Sequence, residues 1–172
     1  RERVQAALRY QAPDLIPLQI HGSPGGLFEH GQKLLELMQA CGHDFGDAAQ
    51  FAMPAPPEPG DWHANGRYHA FRTDDWGTGW EYRLFGVWGH RIHYPLADLS
   101  ALDTYRAPAP PPVNGPAFAA EREAAAAHKA RYFLTGSGGL LFEQMQSLRP
   151  FADVLVDITL DTPEINRIAD LI

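Results

Sequence analysis

The sequence predicts a mixed α/β fold, and three observations support it. The order apolar strand, glycine-rich loop, apolar-striped helix occurs twice, from Leu15 to Gly42 and from Tyr132 to Leu148. That order is the unit from which parallel sheets are built. Between the two copies, residues 66–94 are dense in Trp, Tyr, Phe and Gly, a composition that favours two or three short antiparallel strands joined by turns. Apolar residues fill 45% of the 172 positions, enough to bury a core.

The elements follow in order. "RERVQAALRY" sets Val4, Ala7 and Leu8 on one helical face and predicts a short first helix. "APDLIPLQIHGSPGG" turns at Pro13-Asp14, runs a buried strand from Leu15 to Ile20, and breaks at Gly22, Pro24 and Gly25-Gly26. Phe28, Leu34, Leu35, Met38 and Cys41 then form the apolar stripe of one helix that stops at Gly42, with Cys41 in the core. "HDFGDAAQFAM" offers a second short strand. "PAPPEPGD" is a connector, because proline removes backbone donors and fixes φ. After the meander and a second proline tract, Pro116 opens an alanine-rich helix. A strand from Tyr132 to Thr135, the loop Gly136-Ser137-Gly138-Gly139 and a helix carrying Leu141, Met145 and Leu148 come next. The last segment is helical, interrupted at Asp161-Thr162-Pro163.

Charge and composition exclude several function classes. A formal charge of −7 without a run of Lys and Arg repels a phosphate backbone, so nucleic acid is not an expected partner. No apolar run approaches the roughly 20 residues of a membrane span, and Arg1-Glu2-Arg3-Val4 lacks the apolar segment of a signal peptide. Neither a membrane nor a secretory route is expected. Cys41 is the single cysteine, so no internal disulfide forms, in keeping with a cytoplasmic protein. The chain starts without Met, and the helical spacing of Ile165, Ile168, Ala169 and Ile172 runs to the last residue without a stop signal, so it reads as part of a longer protein.

Four segments carry a family resemblance. "RERVQAALRYQAPDLIPL" resembles the opening of the uroporphyrinogen decarboxylase superfamily: a short helix, a Pro-Asp turn and a first barrel strand. "DDWGTGWEY" is similar to an Asp-(Glu/Asp)-Trp-Gly element of its methyltransferase-like branches, and "YPLADLSALDTYRAP" to the His-Pro-Leu-x-Asp segment after it. "YFLTGSGGLLFEQMQSLRPFADVLVDITLDTPEI" resembles the family's Gly-rich loop, Phe-Glu helix and Leu-Arg-Gly-Phe-Glu turn, with Pro150 in place of the glycine.

The resemblance implies a fold and a function. The fold is the N-terminal portion of a (β/α)8 TIM barrel, which usually takes about 250 residues, with residues 66–94 as an inserted antiparallel β meander near its rim. The decarboxylase itself follows its first strand with an arginine-rich motif that holds a tetrapyrrole polycarboxylate. The matching stretch here, "HGSPGGLFEHG", has no arginine, and a polycarboxylate without guanidinium partners is poorly held. The resemblance therefore points to methyl transfer from a corrinoid or small methyl donor to a zinc-activated thiol. Its zinc ligands, a His-x-Cys pair and a later Cys, come from the family's C-terminal half. Zinc, the corrinoid and a corrinoid-protein partner are thus expected of the full-length enzyme, with no cofactor or metal site within these residues. The alternatives are uroporphyrinogen III decarboxylation and a non-catalytic corrinoid or carboxylate binding protein. A partial barrel also leaves a sheet edge unpaired, which favours a homodimer.

Within that frame the candidate residues take places. His21 falls where the first strand ends, the barrel face that carries chemistry, and is either a proton-transfer or orienting group or a hydrogen-bonded loop residue. Asp75 is read as a substrate contact or as the cap of the turn at Trp76-Gly77. Gly136, Ser137, Gly138 and Gly139 offer backbone N–H groups to an anion or simply make a tight turn. Glu143, one turn further on, faces either pocket or solvent. His90 and His93 are three apart on a strand and do not converge on a metal.

Overall fold

The computed structural model describes residues 1–110, 112–136 and 139–172. Ser137 and Gly138 of the expected anion loop lie outside the described residues. The chain divides into two compact units, Arg1–Pro56 with Pro110–Ser137, and Pro57–Ala109 with Gly138–Ile172.

The first unit is helical. Helix α1 (Glu2–Leu8) buries Val4, as its apolar spacing predicts. Helix α2 (Pro24–His30) begins where a break was expected: the Ser23 hydroxyl accepts the Gly26 N–H at 3.2 Å and Pro24 fills the first turn. A hydroxyl cap and a pre-set proline φ outweigh the two glycines that follow. Gly31, at φ 63°, ends α2 and opens α3 (Gln32–Cys41), so the single expected helix is two. Gly42, at φ 64°, stops α3 as predicted. These helices enclose Leu27, Leu35 and Met38, against which Ile20, Leu34 and Phe51 pack. Cys41, expected in that core, is exposed in the last turn of α3. Helix α4 (Pro116–Arg131) buries no residue; alanine propensity and the cations Lys129 and Arg131 in its last turn favour it.

The expected parallel strands do not form among the described residues. Leu15–Ile20 and Tyr132–Thr135 have no ladder partner, and a short 3₁₀ turn, Ala48–Gln50, stands where a further strand was read. A strand exists only by pairing, and an apolar run does not carry its partner with it. Leu18 instead exchanges both backbone groups with one residue: its N–H donates to Asp44 Oδ2 at 2.9 Å, and its carbonyl accepts the Asp44 N–H at 2.8 Å. Arg3 fastens this corner by donating to Asp14 and Asp44. The guanidinium hydrogen bond holds the Asp14 carboxyl down at about 2.

The second unit holds the sheet. Strands β1 (Ala70–Thr73), β2 (Gly79–Tyr82) and β3 (His90–His93) pair antiparallel in chain order, inside the 66–94 segment expected to form a meander. Gly77, at φ 82°, makes the β1–β2 turn in a region closed to most side chains. Helices α5 (Leu141–Leu148), α6 (Phe151–Leu160) and α7 (Pro163–Asp170) follow, with Asp161 at φ 50° making the expected interruption. Leu96, Leu102, Met145, Leu148, Val154, Ile165 and Ile168 form the core. Polar ties join the meander and the residues just after it to the helices. Thr78, fully buried, donates from Oγ1 to the Ser147 carbonyl at 2.8 Å. Arg149 donates to the Leu96 and Ala97 carbonyls and to Asp157. The molecule is therefore mixed helix and sheet, and its only strands among the described residues are antiparallel.

Candidate functional site: a tryptophan-walled groove

The β1–β2 turn is organised by Asp74. Its Oδ1 accepts the N–H groups of Trp76 (3.0 Å) and Thr78 (2.9 Å), and its Oδ2 accepts Trp80 Nε1 at 2.8 Å. A carboxylate is acceptor-only, so three donors suit it fully. The Trp76 carbonyl accepts the Tyr105 hydroxyl at 2.8 Å, and burial, then the Asp74 charge, raise the Tyr105 pKa above its ordinary value. Trp76 is thereby held at its backbone and Trp80 at its ring.

Arg91 stands across the ladder from Trp80. Its Cζ lies 5.0 Å from the Trp80 ring centroid, and its Nε donates to Ser147 Oγ at 3.0 Å. That hydroxyl in turn donates to the Glu143 carbonyl at 3.1 Å. Ring face and hydroxyl together hold the guanidinium in one place. Among the described residues, no acceptor meets the two terminal nitrogens of Arg91. Trp88, 85% exposed, places its ring centroid 6.0 Å from that of Trp80.

These groups line an open groove of about 800 Å3 that also includes Gly139, Leu140, Glu143 and Gln144. The Gln144 side-chain nitrogen is buried without a hydrogen-bond partner, a state that costs about 1–3 kcal/mol unless an acceptor arrives. The groove thus pairs apolar walls with a few placed polar groups, the usual make-up of a small-molecule site.

The residues singled out from sequence fall in different places. Gly139 and Glu143 line the groove, with Glu143 on its exposed margin. Asp75 is exposed in the turn, and its neighbour Asp74 does the capping that was assigned to it. His21 is exposed in the coil before α2, and Gly136 has open space around it; both belong to the first unit. Arg91 was missed. A lone arginine on a strand has no sequence signature, and only its register against Trp80 gave a clue.

A second polar cluster lies at the other end of the strands. His69 meets the His63 ring through one nitrogen and Glu81 Oε1 through the other, at 2.6 Å, while Arg83 pairs with Glu81 Oε2 at 3.1 Å. Arg83, then His69, hold the Glu81 carboxyl below the usual range. Among the described residues, no three His, Cys, Asp or Glu side chains gather so as to hold a metal. His90 and His93 occupy the two ends of β3. Among the described residues no helix is long and apolar enough to cross a membrane.

In comparisons with protein-family models, curated proteins and solved structures, nothing matches this chain.

Proposed function

We propose that the chain is the substrate-holding part of an enzyme of the uroporphyrinogen decarboxylase superfamily, of the methyltransferase-like kind, which moves a methyl group from a corrinoid or small donor to a thiol. One observation carries the reading. Two of the segments that carry the resemblance, "DDWGTGWEY" and "YFLTGSGGLLFEQMQSLRPFADVLVDITLDTPEI", are far apart in sequence, yet Asp74, Trp76 and Trp80 of the first share a groove with Gly139 and Glu143 of the second. A site assembled from two such segments fits a small-molecule enzyme better than a structural module.

The zinc implied by the resemblance is not supplied by these residues. The single cysteine is exposed at the end of α3, and no metal-binding group of three side chains is present among the described residues. Their part is to bind and orient. We place the protein in the cytoplasm on its lone cysteine, with a corrinoid protein and a second copy of the chain as partners.

A non-catalytic carboxylate-binding protein is the second reading, favoured by the open guanidinium of Arg91. Uroporphyrinogen decarboxylation fits less well, because one arginine in the groove cannot match many carboxylates. The test is methyl transfer by the full-length protein given methylcobalamin, zinc and a small thiol. Thioether formation that matches loss of the methyl–cobalt absorbance, and that stops with a zinc chelator, is expected. A full-length protein that produces no thioether overturns the enzyme reading.

A further inference from the structure

The groove's polar inventory narrows what it takes. We propose that it binds a flat aromatic molecule carrying one carboxylate, with the carboxylate on the terminal nitrogens of Arg91 and the ring against Trp88. This rests on the proposed small-molecule function and names its ligand class.

Three features converge on that assignment. The Arg91 guanidinium is held by Ser147 Oγ at Nε and by the Trp80 face, which leaves its two-pronged end without an acceptor among the described residues. A planar fork held in advance matches the two oxygens of a carboxylate and loses little freedom on binding. Trp88, 85% exposed beside the buried Trp80, presents an indole that a flat ring would cover. Gln144, whose side-chain nitrogen is buried without a partner, lines the same groove and adds a polar residue to its wall.

Charge sets the limit of one carboxylate. Among the described residues Arg91 is the only cation lining the groove, which Asp74 and Glu143 also line. A first carboxylate pairs with the Arg91 fork; a second would have no cation of its own and only Asp74 and Glu143 beside it. Trp76 and Trp80, the latter held by its ring nitrogen, supply apolar wall to the same groove.

The experiment is calorimetric titration of the full-length protein with indole-3-acetate, its neutral counterpart indole-3-acetamide, and phenyl phosphate. Saturable binding of the acid is expected, at least tenfold tighter than the amide or the phosphate. Arg91→Gln should erase the preference for acid over amide, and Trp88→Ala, at an exposed position, should weaken acid and amide alike. Equal binding of acid and amide, tighter binding of the phosphate, or no saturable binding of the acid overturns the proposal in the unaltered protein, whatever the variants do. The two proposals fail separately. Acid binding without methyl transfer removes the enzyme reading and leaves the ligand class, whereas methyl transfer that neither the acid inhibits nor Arg91→Gln alters removes the ligand class and leaves the enzyme.

Discussion

At the scale of single residues, the adjacent aspartates of "DDWG" have different jobs. Asp74 satisfies three N–H donors, one of them the ring of a groove tryptophan, whereas Asp75 is exposed. Asn at position 74 would turn an amide donor toward a donor it must accept from. Asp74→Asn is expected to cost about 1–3 kcal/mol, and Asp75→Asn less than about 0.5 kcal/mol. Urea unfolding followed by tryptophan fluorescence measures both, and a larger loss at Asp75 would contradict the turn described here. Sequence singled out Asp75, whereas the hydrogen bonds that cap the turn are made by Asp74. The choice depends on the chain turning right after Thr73, which puts the Asp74 carboxylate over the N–H groups that follow it. On a continuing strand the two side chains would simply have pointed apart. The case of Arg91 is similar: its meaning comes from Trp80 across the ladder and Ser147 on a distant helix, and neither contact is local.

At the scale of elements, helices and turns were legible and pairing was not. α1, α3 and α4 follow from apolar spacing, Pro116 and Gly42, all of which act within a few residues. The meander was legible because glycine and aromatic density report the hairpin itself. The misread segment at Pro24-Gly25-Gly26 shows how a local signal is outvoted: three helix-weakening residues sit in the first turn, where an N-cap and a proline are at home. Leu15–Ile20 failed for the opposite reason, since nothing in six apolar-rich residues says which strand lies beside them. Gly89 gives an element-level prediction. A Cβ there would lie 2.7 Å from the Glu81 backbone oxygen and 3.0 Å from the Tyr82 ring, which blocks the close approach of β2 and β3. Gly89→Ala is expected to destabilise by about 1–3 kcal/mol and to speed amide exchange in β3. Gly60→Ala, where a Cβ meets open space, serves as the tolerated control, and equal behaviour of the two would show that the sheet does not need the glycine.

At the scale of the whole molecule, the exposed apolar side chains carry a prediction. Helix α6 leaves Phe151, Leu155, Val156, Ile158 and Leu160 exposed, and the Leu15–Leu18 segment does the same in the first unit. Apolar surface gathered on one element promotes association. Light scattering on these 172 residues is expected to show concentration-dependent self-association that Leu155→Lys or Ile16→Lys reduces. A clean monomer at all concentrations, unchanged by either substitution, removes the homodimer proposal.

The division of the chain has a kinetic consequence. Each unit is made of two separated stretches, and the polypeptide passes from one unit to the other three times. Neither unit is a continuous piece, so neither can emerge complete before the other has begun. The Thr78–Ser147 hydrogen bond must wait until the intervening helix α4 has been synthesised, and closing that long loop costs chain entropy before any contact repays it. During that wait the meander stands without its helices, its buried threonine and tryptophan open to water. Folding of the groove therefore waits for both stretches of its unit, and a cut in a crossing segment would separate stretches that belong together.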